Sequence, residues 1–300
     1  MKSFRLAAKA AALATAAILA LTACAPSGAT EVGSGATAAD PIRIGVVNAE
    51  EPYRATFQEA ARAEGIYIEF INFTEFPLIN QALAEGDLDM NQFQHIQFLA
   101  NFNQATGNDL TPIGATAVYP LGLYSFRWDS VADFPQGAEI AIPNDPTNQA
   151  RALLVLQDAG LITLRDGGSS LSTPFDIIAE ESIASVIPVE AAMTAVSLQD
   201  VDGSIVNNSM IAQIGMSLDD AIFADDPDSP AAEPYINIFV TRAEDAENPV
   251  FHRLVELFHA TPEVIQGLID SSAGTAAVRN NSAADLQRIM AEIQANLAAN

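Results

Sequence analysis

The chain has 300 residues, 13 basic and 38 acidic side chains, and a formal net charge of −25. Three of the cations (Lys2, Arg5, Lys9) fall in residues 1–23, so the rest carries ten Arg, no Lys and a net charge of −28. A surface this acidic repels phosphate backbones and anionic headgroups, which excludes nucleic-acid binding and electrostatic membrane docking. An apolar fraction of 49% with 7% aromatics marks a globular chain.

The basic start is followed by the apolar run Ala10–Leu21. It is too short to cross about 30 Å of hydrocarbon, which takes roughly 20 residues, and suits the h-region of a signal peptide over 1–23. The run ends at Leu21-Thr22-Ala23-Cys24. This resembles the bacterial lipobox and implies that Cys24 is lipidated and becomes the mature N-terminus. The plainer reading is a free or buried thiol behind an ordinary signal peptide. Cys24 is the only cysteine, which excludes an intramolecular disulfide and a Cys-rich metal site. Residues 25–40 are Gly, Ser, Ala and Thr without apolar periodicity, the composition of a flexible tether. Segment 24–40 is thus a lipid-anchored linker, holding the folded part at the outer face of a membrane. No later run of 18 apolar residues follows.

From Pro41 strands and helices alternate. Arg43–Val47 reads as a strand, Glu51–Glu64 as a helix stopped by Gly65, and Ile66–Phe73 as a strand. A short helix over 76–85, a strand over Leu88–Phe93 and a helix over His95–Thr106 follow. This order predicts a mainly parallel sheet with helices on both faces. After Pro120 it restarts: strand Glu139–Ile142, helix Asn148–Ala159 with Gly160 at its end, strand Ile183–Val189, helix Ala191–Leu198 and strand Ser204–Asn207. Residues 219–234 are acidic and Pro-rich, Tyr235–Val240 is a strand, and 248–270 is helical. A last amphipathic helix runs over 282–297, with Ser282 as N-cap and Leu286, Ile289, Met290 and Ile293 on one face. The fold expected is a two-lobed α/β structure with a hinge: lobe I from 41–120 plus 235–300, lobe II from 121–234. A tethered two-lobed protein has the layout of a solute-binding protein that closes around a small molecule, although fold alone does not establish that role.

The segment Ala141–Leu154 (AIPNDPTNQARALL) carries the strongest local signal. A strand meets a Pro/Asn/Asp turn that delivers an N-cap, Thr147 or Asn148, to a helix. The helix start offers free amide donors and partial positive charge to a carboxylate. Arg151 in its first turn needs an anion, which a bidentate carboxylate supplies. That anion is either a ligand or one of the chain's own 38 acids.

IPNDPTNQARALLVLQDAGLI resembles the matching stretch of the NlpA-type methionine-binding lipoprotein family. Asp87–His95, Val118-Tyr119-Pro120, Ser229-Pro230 with Tyr235–Ile238, and the Leu-Thr-Ala-Cys motif are similar to further segments of that family, collinearly from Arg43 to Arg279. Family members are receptors of ABC importers for methionine and related amino acids. The resemblance implies that Arg151 holds the ligand α-carboxylate, and that Asn207 and Asn237 bind its ammonium and carboxylate. Asn148 would stand near the helix start, with His95, Tyr119, Phe76 and Phe98 around the thioether. It further implies no cofactor, a monomer, an ABC permease as partner and a lipid-anchored, extracytoplasmic location. Gln97-Phe98 stands where the family usually has Pro-Tyr, and Met210 where it often has Tyr. These changes leave room for a related amino acid, a short peptide or a sensing role. The helix beyond Arg279 reads as an addition.

Several residues have plainer readings. His95 alone suits a satisfied structural histidine. His252, Glu256 and His259 share a helix face and could seat a metal, but a solvated face accounts for them better. Asp225-Asp226-Pro227-Asp228 lacks the Gly and distal Glu of a calcium loop and reads as an exposed acidic loop. Of Phe73, Phe76, Phe93 and Phe98, at least two are expected in the core. A nucleophile–base pair, a zinc motif and a phosphate-binding loop are all missing from the sequence, which argues against an enzyme.

Overall fold

The computed structural model describes residues 36–299; the signal peptide, Cys24 and most of the tether lie outside the described residues. The first half runs β1 (Ile42–Val46), α1 (Pro52–Ala63), β2 (Ile68–Asn72), α2 (Phe76–Glu85), β3 (Met90–His95), α3 (Ile96–Thr106), β4 (Thr111–Ala115) and β5 (Ala117–Val118). The chain then forms β6 (Gly122–Tyr124), β7 (Ala138–Pro143), α4 (Pro146–Asp158), β8 (Ala184–Val189), α5 (Ala191–Ser197), β9 (Gly203–Val206), α6 (Asn208–Ile211) and β10 (Phe223–Ala224). It returns through β11 (Asn237–Thr241), α7 (Pro249–Ala260), α8 (Pro262–Ser271), β12 (Ala277–Val278) and α9 (Ala283–Ala299).

Two five-stranded sheets form the centres of two lobes, in the orders β2-β1-β3-β11-β4 and β10-β6-β9-β7-β8. Both are mixed, not mainly parallel. β1 pairs in parallel with β2 and β3, whereas β11 runs antiparallel to β3 and β4. In the second sheet β7 is parallel to β8 and β9, but β6 is antiparallel to β9 and β10. The antiparallel strands are those entering or leaving each lobe. Of these, β6 and β10 were missed because they are three and two residues long, too short for an alternating pattern to register; β11 was read as a strand, but nothing local gave its direction. The chain passes between the sheets through Tyr119–Leu121 and again after β10. A small β5–β12 ladder pairs Ala277 with Val118 beside the first passage.

The buried strand β1 explains its own glycine. A Cβ on Gly45 would lie 2.5 Å from Leu88 Cδ1 and 2.8 Å from Ile79 Cγ2, so α2 packs on the sheet only because that side chain is missing. On the other face Phe57, Phe239 and Phe258 pack edge to face, with Phe258 5.5 Å from Phe57 and 5.2 Å from Phe239. The second lobe closes on Ile140, Ile142, Leu153, Leu156 and Ile205, all fully buried.

The helix expected over 248–270 is two helices. Pro262 follows α7 after a single intervening residue; it has no N–H and forces Thr261 out of the helical region, to φ −102°, ψ 100°. The C-terminal helix is an integral part of the fold. Leu286, Ile289 and Ile293 are buried on the face the spacing predicts, and α9 packs on α3 and β4. Among the described residues no helix is long and apolar enough to cross a membrane.

Candidate functional site

The turn after β7 starts α4 two residues earlier than the sequence suggests. Asp145, not Thr147 or Asn148, is the N-cap: its Oδ1 accepts the Asn148 N–H at 3.0 Å and the Thr147 hydroxyl at 3.0 Å. Pro146 explains the shift, since its fixed φ and missing N–H suit the first helical position. Burial raises the Asp145 carboxyl above its usual range, against these hydrogen bonds, which lower it. The Asn148 side chain also donates to both Asp145 oxygens at 3.1 Å.

Arg151, one turn further on, is 4% exposed. Its Nε donates to Asp225 Oδ2 at 2.7 Å, and its Nη2 to Asp225 Oδ1 at 3.1 Å and to the Tyr119 carbonyl at 2.9 Å. The guanidinium carbon lies 4.2 Å from the Tyr235 ring centre. The bidentate anion is therefore the chain's own Asp225, from the loop read as exposed. Asp226 and Asp228 do face solvent, but Asp225 turns inward and also accepts the Leu121 N–H at 2.8 Å. Asp225 occupies the Nε–Nη2 edge, and among the described residues Nη1 has no hydrogen-bond partner. A ligand carboxylate at Arg151 is left that second edge, not the bidentate one.

Asn207 stands at the N-cap position of the short helix α6 without a side-chain capping bond, and its Nδ2 donates to Asn148 Oδ1 at 3.0 Å. Its own Oδ1 is buried with no partner among the described residues. His95 ends β3 and caps α3: Nδ1 accepts the Phe98 N–H at 3.1 Å, so the ring proton sits on Nε2, 3.4 Å from Asn148 Oδ1. Burial, with the Arg151 charge second, pulls the His95 pKa from 6.5 to about 3, so the ring is neutral. Asn148 thus spends its donors on Asp145 and its acceptor on Asn207 and His95; it orders the site and has no free group for a ligand. Asn237, at the start of β11, donates to the Tyr235 carbonyl at 3.3 Å.

An aromatic wall completes the site. Phe76, Phe93 and Phe98 form a triangle with ring centres 5.8–6.3 Å apart. Only Phe76 of the four phenylalanines is fully in the core; Phe73, Phe93 and Phe98 pack against it half-buried, fewer than expected. Beneath the wall, Asn91 Nδ2 donates to Asn80 Oδ1 at 2.9 Å and Gln94 Nε2 to Asn91 Oδ1 at 2.9 Å, fixing β3.

All eight residues singled out from the sequence (Phe76, His95, Phe98, Tyr119, Asn148, Arg151, Asn207, Asn237) line one cavity. Phe93, Gln94, Asn208 and Ser209 line it too. Asn208 and Ser209 adjoin Asn207 and could have been found by proximity. Asp225 and Tyr235, which fix Arg151 from 74 and 84 positions away, carry no local signal. His252 and His259 are held through Nε2 by the Ala246 carbonyl at 2.7 Å and the Ala115 carbonyl at 2.9 Å. They are half-buried structural groups, not a solvated face. No cluster of three or more His, Cys, Asp or Glu that could hold a metal occurs among the described residues.

Two α/β lobes joined by paired crossings, with a polar-headed, aromatic-walled cavity, define a substrate-binding protein of the periplasmic-binding-protein type. The family model described as "NlpA lipoprotein" matches residues 42–279, and the chain belongs to that family. Outer membrane lipoprotein 1 of Mannheimia haemolytica is 37% identical over 83% of this chain and 90% of that relative. The D-methionine-binding lipoprotein MetQ of Salmonella typhi is 38% identical over 72% of this chain and 82% of its own length. A nutrient binding protein from Burkholderia cenocepacia, solved bound to methionine, superposes with a TM-score of 0.74 at 32% identity, covering 79% of this chain and 99% of that one. The family is one of binding proteins, and the chain is not an enzyme.

Proposed function

We propose that the chain is the solute receptor of an ABC importer, binding methionine or a closely related amino acid between its lobes and delivering it to the permease. The carrying observation is a complementary pair of unspent polar groups in one cavity: the Nη1 donors of Arg151 and the buried, partnerless Oδ1 of Asn207. A buried zwitterion needs a donor for its carboxylate and an acceptor for its ammonium, or desolvation outweighs binding. Arg151 Nη1 serves the first, Asn207 Oδ1 the second, and Asn237 assists. Because Asp225 already neutralises Arg151 and His95 is uncharged, the site's own residues carry no strong net charge, which suits a zwitterion better than an anion. The phenylalanine triangle and Tyr119 receive the side chain. Aromatic contacts favour a polarisable sulfur by about 0.3–1.5 kcal/mol each, and burial adds roughly 1.5–3 kcal/mol.

In this reading the lobes divide as 41–120 plus 235–300 and 121–234. Cys24 carries the lipid, and a monomer works from the extracytoplasmic face of the membrane. Calorimetry with L- and D-methionine tests the assignment. Wild type binds at least one enantiomer, and Arg151→Ala weakens it by about 2–5 kcal/mol. An unchanged dissociation constant in the variant removes Arg151 from the site.

A further inference from the structure

Asn48 lies just past β1 and lines no part of the amino-acid cavity, yet it ties the two lobes together. Its side-chain Nδ2 donates to the Ser209 carbonyl at 2.9 Å, and its Oδ1 accepts from Gln213 Nε2 at 3.1 Å. Both partners belong to the second lobe, in and just after α6. That helix presents Asn207, Asn208 and Ser209 to the cavity.

Asn48 is held ready for this contact by first-lobe groups alone. Its backbone is left-handed, with φ 56°, a conformation that Asn tolerates better than most residues. Its carbonyl accepts the Glu51 N–H at 3.2 Å and Arg54 Nε at 3.1 Å. Arg54 is 4% exposed and spends its other donors on the Val47 carbonyl at 3.1 Å and Gln92 Oε1 at 2.8 Å, beside the Glu51 carboxylate at 3.3 Å. A buried, ion-paired guanidinium thus grips two successive carbonyls and holds the backbone from which the Asn48 side chain projects. These bonds lie within the first lobe, whereas the two Asn48 side-chain bonds, to Ser209 and Gln213, cross to the second.

We propose that Asn48, preset by Arg54, is a positioning residue that latches α6 across the cleft and so prolongs the closed, ligand-holding state. The inference rests on the reading of the cavity as an amino-acid site and adds to it a residue that acts on the ligand only through α6.

Asn48→Gly removes both side-chain bonds while keeping positive φ accessible. With L-methionine as the probe, stopped-flow kinetics are expected to show dissociation about tenfold faster or more, as for the loss of two hydrogen bonds, with association changed less than about twofold. Dissociation at the wild-type rate overturns the latch. Adding Gln213→Ala to Asn48→Gly is expected to add little, because Asn48 is the partner lost in both; additive losses overturn the direct pairing. Hydrogen-exchange mass spectrometry of the ligand-free, full-length protein supplies an arm independent of the ligand. Asn48→Gly is expected to speed exchange in 207–216 and 145–152 and to leave 47–54 as in wild type. Acceleration confined to 47–54, or none at all, overturns the proposal. A wild-type protein that binds neither L- nor D-methionine counts against the amino-acid reading, and the exchange result then decides the latch by itself.

Discussion

His95 makes the closed cavity measurable through its protonation. Its folded pKa is about 3 against an ordinary value of 6.5, chiefly through burial and secondly through the Arg151 charge. Below about pH 6.5 the unfolded chain takes up a proton at this residue while the folded chain does not, so the folded state loses stability as pH falls from there toward 3. By about pH 5 the deficit is 1.5 units below 6.5, and at 1.36 kcal/mol per unit that is about 2 kcal/mol. Asp145 and Glu51 work in the opposite sense, because burial raises their folded pKa values and favours the folded state as pH falls. The raw pH profile therefore mixes signs, and a difference between two proteins is needed. Guanidinium unfolding of wild type and His95→Gln at about pH 7.5 and about pH 5 isolates the term: wild type is expected to lose about 2 kcal/mol relative to the variant. A difference that stays flat across this interval would mean that His95 titrates as a hydrated imidazole. The ligand-free cleft would then stand open to water, and the contacts of His95 with Asn148 and Phe98 would not describe the unliganded protein.

Two further substitutions test other parts of the site. Asn207→Ala is expected to weaken methionine binding by about 1–3 kcal/mol, read by calorimetry. Unliganded stability should change by less than about 1 kcal/mol, because the same change removes an unsatisfied buried oxygen along with the bond to Asn148; an apo protein that unfolds makes Asn207 a structural residue. Asp225→Ala leaves the Arg151 guanidinium buried with the Tyr119 carbonyl and the Tyr235 ring but no counter-charge, and urea unfolding is expected to show a loss of about 3 kcal/mol. Wild-type stability would mean that the Arg151–Asp225 pair forms only transiently.

Much of the architecture was legible because its signals are local. Gly86 and Gly107 end α2 and α3 in left-handed conformations, and the 286/289/293 spacing marked the buried face of α9 correctly. The eight candidate site residues also converge on one cavity, mostly by family resemblance, since Asn237 and Tyr119 carry no distinctive pattern of their own. The Thr261–Pro262 break was legible in principle: a proline inside an apolar helical pattern is a stop signal, and the amphipathic spacing on both sides concealed it.

What sequence alone determined was which groups are available: one cation at a helix start, carboxamides, aromatic rings and a strongly acidic surface. What tertiary structure decided was how those groups are spent. With 38 acids to choose from, no local rule singles out Asp225 as the partner of Arg151, because the pairing depends on the return path of the chain after β10. The same holds for Asn148, which is consumed by its neighbours, for Asn207, left with an idle oxygen, and for Asn48, joined to α6 across more than 160 positions. Hydrogen-bond capacity is a property of the residue, but whether it is free depends on neighbours distant in sequence. That allocation determines which atoms face a ligand.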